Sequence, residues 1–294
     1  MKELLTFIEN LPSTTIKIKN HPYQVSMDGT GNIPMISLGV GSHMQMTLSP
    51  QLKKLVKIYS SDLYWIASER LAHPNQLIMN DLIDDSISMI SQLNLKKPLL
   101  IGFSCYGILA LEVAKKLNSE ISGVVLVSTP PKWNDDVISF AQSYFNKHAS
   151  PERKLNDTQR KEHFSKIRKP NESIVSVNAY EADAARYWKN FNISREFLDL
   201  LWHGINADDE MMNHFFGTLL PAHDLKKDLE KITVPVIHLA GQCDFDSVPL
   251  ILWESFPKPK NFTVIDCGET GHWPNLENPV FFDTALKQWL TQNI

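Results

Sequence analysis

The sequence predicts an α/β protein: a mostly parallel sheet with helices on both faces and a helical cap inserted late in the sheet. Three observations predict it. Short apolar runs of strand length, at residues 99–101, 123–128 and 234–240, follow or precede amphipathic stretches of helix length. Such alternation implies parallel strands joined by crossover helices, because only a sheet covered on both faces needs uninterrupted apolar strands. The rhythm stops between about Lys132 and Leu225 and then resumes. Finally, Ser104, Asp244 and His272 each stand just beyond an expected strand, in that chain order.

The elements follow in turn. Residues 2–9 can form a short helix with Leu4, Leu5 and Ile8 on one side. Residues 15–19 and 23–27 alternate as two strands around a turn at Asn20-His21-Pro22, an antiparallel edge to the sheet. Asp28-Gly-Thr-Gly-Asn32 signals a turn into a strand at 35–38, and 56–59 reads as the next strand. Residues 80–93 have helical periodicity, with Leu82, Ile83, Ile87, Ile90 and Leu93 inward and Asp81, Asp84 and Asp85 outward. The run at 99–101 leads through Gly102-Phe-Ser-Cys-Tyr-Gly107 into a helix whose Ile108, Leu111, Val113 and Leu117 face a core. Residues 123–128 form the following strand, ended by Thr129-Pro130-Pro131.

Residues 132–225 are polar and helical in character. The bases Arg153, Lys154, Arg160, Lys161, Arg168 and Lys169 are interspersed with acids, the pattern of solvated helix faces. Farther on, Tyr187, Trp188, Phe191, Trp202, Met211, Met212, Phe215 and Phe216 crowd together. Part of that surface is the insertion's own core. If the insertion covers the sheet, the rest looks onto Ser104 and excludes water from an apolar pocket, with Tyr106, Tyr187, Trp188 and Trp202 as lining candidates. The division expected is a core of residues 1–131 and 226–294 with a cap of 132–225. After the cap come strands at 234–240 and 262–265, and a closing helix with Phe281, Phe282, Ala285, Trp289 and Leu290 against the sheet.

Composition narrows the class. The chain has 294 residues, 43% hydrophobic and 21% charged, with a net charge of −4. That balance gives no reason to expect nucleic acid or an anionic membrane as partner, and no apolar run nears the ~20 residues of a membrane span. The opening MKELLTFIEN lacks a continuous apolar core and an Ala-x-Ala site, so no secretory signal is expected. Three cysteines, an odd number, fit a reducing compartment without a disulfide framework, and the cytoplasm is the expected location.

The serine sits where a strand meets a helix, which invites nucleophilic chemistry. A hydroxyl is a poor nucleophile at neutral pH, so a histidine must take its proton, and a carboxylate must fix that histidine's tautomer. His272 and Asp244 suit those roles, with Asp246 the alternative acid. The alternative for Ser104 is a mere helix cap. Cys105, next to Ser104 at the start of the helix, offers a backbone N–H to a developing oxyanion.

These phrases resemble the α/β-hydrolases. Gly102-x-Ser104 matches their nucleophile elbow, although Tyr106 stands where the second glycine is usual. Gly241-x-x-Asp244 with Val248-Pro249 is similar to their acid loop. Gly271-His272 followed by Leu276-Glu277-x-Pro279 is similar to their histidine loop. The Tyr187-Trp188 and Trp202-x-Gly204-Ile205 wording and the Gly-x-x-Asp-Phe-Asp acid loop resemble the proline-iminopeptidase-like branch. The resemblance implies a second oxyanion donor at Val40, in a loop where Leu38 replaces the usual His-Gly start. For an iminopeptidase it also implies cap carboxylates for the substrate ammonium, for which Glu181, Asp183, Asp208, Asp209 and Glu210 are available.

The expected function is therefore a cofactor-free serine hydrolase. It would cleave a small ester, amide or thioester bearing an apolar group through an acyl-enzyme. Two alternatives accompany it: a proline-iminopeptidase-type aminopeptidase, and a hydrolase-fold protein that binds a ligand or partner with impaired turnover. Gly39-Val-Gly41 hints at a dinucleotide loop, but Met44 occupies the third glycine position. No cysteine–histidine spacing matches a zinc site, so neither cofactor nor metal is expected. His43, His203, His214 and His238 are pocket-lining candidates, with core or surface duty the expectation for each.

Overall fold

The computed structural model describes residues 11–19, 21–39, 41–61, 76–172, 176–203 and 208–294. The helix expected at residues 2–9 lies outside them. Eight strands form one sheet: β1 (Ser13–Ile18), β2 (His21–Asp28), β3 (Ile33–Leu38), β4 (Val56–Ser60), β5 (Leu99–Phe103), β6 (Gly123–Val127), β7 (Val236–Ala240) and β8 (Phe262–Asp266). Their order is β1-β2-β4-β3-β5-β6-β7-β8. The β1–β2 and β2–β4 pairs are antiparallel and every other pair is parallel. The opening hairpin is thus an antiparallel edge, as its alternation implied.

The central strands are apolar because helices cover both faces. Every residue of β5, β6 and β7 is buried. Strand β7 begins at Val236, two residues later than the apolar run. Pro235 has no N–H to give a ladder, and its carbonyl instead accepts from Val124. One face is covered by α1 (Gly41–Thr47) and the C-terminal α13 (Pro279–Asn293). The other is covered by α2 (Met79–Gln92), α3 (Tyr106–Leu117) and α11 (Pro249–Ser255). Between β6 and β7 run α4 (Asp135–His148), α5 (Pro151–Ile167), α6 (Val177–Ala182), α7 (Ala184–Tyr187), α8 (Arg195–Leu201), α9 (Asp209–His214), a π-turn at Phe215–Leu219 and α10 (Leu220–Ala222). A short α12 (Pro274–Glu277) precedes α13.

Three side chains depart from the sequence pattern. Asp85, expected outward, is only 2% exposed. It accepts a hydrogen bond from Tyr23 (3.3 Å) and pairs with Lys19 (3.1 Å), so the edge hairpin supplies partners that its own helix lacks. Arg153, expected on a solvated face, is buried. Phe281, expected against the sheet, lies at the first turn of α13 and faces outward, while Phe282 is fully buried. Among the described residues no helix is long and apolar enough to cross a membrane.

Candidate active site

The turn after β5 is built by a close approach of strand to helix. A Cβ on Gly102 would stand 2.6 Å from the Gly107 Cα, and one on Gly107 would stand 2.0 Å from Thr129 Oγ1. With both absent, α3 starts almost against the sheet, and the intervening residue is forced into a left-handed conformation: Ser104 has φ +53°. Its N–H donates to Val127 O (2.8 Å) and its carbonyl accepts from Gly107 N–H (3.0 Å). Such a conformation costs on the order of 1–3 kcal/mol and persists only where the surroundings impose it. Among the described residues the Cys105 N–H has no acceptor.

The departure from glycine at Tyr106 is accommodated from the opposite loop. A Cβ on Gly39, whose own φ is +99°, would lie 2.3 Å from Tyr106 Cγ, so the missing side chain there makes room for the ring. Tyr106 is buried, stacks on Phe215 (5.6 Å between centroids, 8°) and reaches Met212 Sδ (4.0 Å). It joins elbow to cap on the α3 face of the sheet.

Asp244 and His272 stand beyond β7 and β8, and the parallel register brings those two strand ends side by side. His272 Nδ1 is 2.6 Å from Asp244 Oδ2, with both side chains fully buried. The remaining capacity of the carboxylate is used by donors from its own loop. Asp246 N–H and Ser247 N–H donate to Oδ1, and the Ser247 hydroxyl donates to Oδ2, each at 3.2 Å. With its other lone pairs occupied, the carboxylate turns Oδ2 to the ring and places the imidazole proton on Nδ1. Nε2, the other ring nitrogen, has no partner among the described residues. Burial alone pulls the imidazole pKa down. The charge and hydrogen bond of Asp244, with Asp246 and Glu277 farther off, outweigh it and leave His272 above the ordinary histidine range. The ring is wedged between Phe103 (4.9 Å) and Tyr187 (5.1 Å).

Asp246 behaves differently. Burial raises its carboxyl to about 7; His272 and Arg186 oppose the rise, and Asp244 and Asp183 add to it. Its backbone bonds to Asp244, whereas the imidazole bonds to Asp244 directly. Cys105 is buried, and burial, reinforced by Asp246 and Asp244, pushes its thiol well up. A thiol held neutral is a poor nucleophile, so the hydroxyl beside it is the better candidate at this turn.

The other site candidates divide between two regions. Tyr187 lies against His272 and stacks on Tyr180 (4.6 Å, 11°), and Trp202 tilts over Tyr180 (4.1 Å). Trp188 is 2% exposed and stacks on Trp273 (6.0 Å), inside the core beneath the histidine loop. Tyr106 belongs to the opposite cluster, and Val40 lies outside the described residues. Of the cap acids, Glu181 pairs with Arg195 (3.0 Å), Asp183 with Lys161 (3.1 Å), and Asp208 caps α9 through Met211 N–H (2.9 Å). One neighbour of the site, Tyr180, was not singled out from sequence. Tyr180 precedes Tyr187 by seven residues, two helical turns, a spacing that carried the signal. His43 is 3% exposed, packs edge-on to Trp202 (4.5 Å) and Trp273 (5.3 Å), and burial lowers it to about 3. Nothing local distinguishes it from a surface histidine. Among the described residues no group of three or more His, Cys, Asp or Glu side chains could hold a metal ion.

The chain has the α/β-hydrolase fold. The elbow after β5, the acid after β7 and the histidine after β8 fall where that superfamily carries its chemistry. No family model matches the sequence. The chain is 24% identical over 274 residues to the AB hydrolase superfamily protein YclE of Bacillus subtilis, covering 92% of this chain and 95% of that one. It superimposes on a proline iminopeptidase of Mycobacterium smegmatis with a TM-score of 0.68 at 17% identity, covering 96% and 98% of the two chains. The esterase EaEST of Exiguobacterium antarcticum gives 0.68 at 15% identity over 95% and 100%. The N-acyl homoserine lactonase AidH gives 0.65 at 18% identity over 97% and 98%.

Proposed function

We propose that this chain is a serine hydrolase that cleaves a small ester, amide or thioester carrying an apolar group, through an acyl-enzyme on Ser104. The observation that carries the reading is the buried 2.6 Å contact between His272 Nδ1 and Asp244, with Nε2 left without a partner. In this reading His272 Nε2 takes the Ser104 proton as the hydroxyl attacks the substrate carbonyl, then returns it to the leaving group. Water repeats the sequence to release the acid. Asp244 keeps the tautomer and stabilises the imidazolium. The Cys105 N–H, with Val40 as second donor, receives the oxyanion, a contact worth on the order of 3 kcal/mol per donor.

The core comprises residues 1–131 and 226–294 and the cap 132–225. Tyr187, Tyr180 and Trp202 form an aromatic wall beside the imidazole, which favours an apolar acyl or leaving group. The pairing of Glu181, Asp183 and Asp208 within the cap favours an ester or thioester over an α-ammonium substrate. The test is Ser104→Ala against short p-nitrophenyl esters and prolyl-arylamides, with fluorophosphonate labelling of the unaltered protein. Stoichiometric labelling at Ser104 and loss of turnover in the variant are expected. Turnover that survives the substitution refutes the mechanism, and absent labelling with absent turnover favours a binding protein.

A further inference from the structure

Between the acid loop and the histidine loop lies a piece of the cap, residues 185–190, whose backbone is bonded to both. His272 N–H donates to Tyr187 O (2.6 Å), and Phe245 N–H, one residue after Asp244, donates to Arg186 O (2.9 Å). Gly271 lets the backbones approach this closely: a Cβ there would meet Tyr187 O at 2.1 Å. Two charged side chains tie down what remains. Glu277 bridges the gap, accepting from Gly271 N–H (2.5 Å) with one oxygen and from Lys189 N–H (2.8 Å) with the other. Arg153, 7% exposed, donates to Ala185 O (2.6 Å), Trp188 O (2.7 Å) and Lys189 O (2.8 Å). Its guanidinium lies over Phe191 (4.6 Å) and Phe245 (5.3 Å), the latter on the acid loop itself.

A buried guanidinium spent on three carbonyls, with no ion-paired carboxylate among the described residues, is costly unless it organises what it touches. Here it organises the end of α7 and the residues that follow it, whose carbonyls accept from both triad loops. We propose that Glu277 and Arg153 are positioning residues. Through residues 185–190 they hold Asp244 and His272 in register, so that this end of the cap is a fixed part of the catalytic frame and not a moving lid. The inference rests on the Ser104–His272–Asp244 reading. It adds that the cap contributes to the chemical step and not only to substrate selection.

The experiment compares Glu277→Gln, Glu277→Ala and Arg153→Lys with the unaltered protein. Glutamine keeps one acceptor and loses the other, alanine loses both, and a lysine ammonium cannot span three carbonyls. The expected result is a graded fall in kcat, about tenfold for Gln and about a hundredfold for Ala, with KM within twofold, since a misplacement of about 1 Å carries that cost. The downfield proton signal of His272 Nδ1–H should broaden or move in the same order, a readout that a general loss of stability would not grade. If the alanine variant fails to fold, the isosteric glutamine variant and its proton signal carry the test. Folded variants with kcat within twofold and an unmoved signal overturn the proposal, as does a rise in KM alone. Should Ser104→Ala retain turnover while the Nδ1–H signal still responds to Glu277, the nucleophile assignment falls and the positioning role stands.

Discussion

Gly102→Ala probes the contact on which the candidate nucleophile depends. The new Cβ would meet Gly107 Cα at 2.6 Å and Gly107 N and Tyr106 O at 2.9 Å, all backbone atoms that cannot rotate away. Ordinary contact requires at least 3.4 Å, so the first turn of α3 must lift from β5 by about 1 Å. Overpacking of this kind costs about 1–3 kcal/mol of stability. The displaced turn carries Cys105 N–H and the Ser104 hydroxyl with it, and a shift of about 1 Å at reacting groups costs on the order of a hundredfold in rate. The assay is kcat and KM on whichever ester the Ser104→Ala variant fails to turn over, together with the fluorophosphonate labelling rate and Tm. Gly217→Ala is the control, since nothing lies within 4 Å of a Cβ there. It should leave Tm equal or slightly raised and kcat unchanged. A Gly102→Ala protein with kcat within threefold and the original Tm would refute the account of the elbow.

Two further outcomes follow from the buried groups. Asp244→Asn places an amide donor among three donors and the imidazole, so kcat should fall by about 10⁴-fold, whereas Asp246→Asn should cost less than about tenfold; steady-state kinetics that reverse the order would exchange their roles. His238 is fully buried within β7, and burial, opposed by a hydrogen bond to the Thr129 backbone, lowers it to about 3. The unfolded imidazole binds a proton below about pH 6.5 and the folded one only near pH 3. Its contribution is therefore complete above pH 6.5 and is lost as pH falls. At pH 5 the loss is about 2 kcal/mol. Urea denaturation at pH 7.5 and 5 should show His238→Leu losing about that much less stability than the unaltered protein on acidification, and an equal loss in both would contradict it.

Much of this molecule was legible in the linear chain. Apolar runs of strand length, turn residues at their ends and helical periodicity are local signals; they placed β3 to β8 and α2 within about two residues, and they indicated α3 and α13. Residues 241–244 and 271–272 were legible as strand-end loops for the same reason, and the parallel register brings Asp244 and His272 into contact. What lay beyond reach depends on partners distant in sequence. Asp85 is inside because the hairpin at Tyr23 and Lys19 meets it, and Arg153 is inside because three carbonyls near residue 188 await it. Tyr106 is tolerated because Gly39, on another loop, leaves space for its ring. Periodicity states which positions share a face. Only the folded neighbours decide whether that face meets water, an apolar surface or a matching charge.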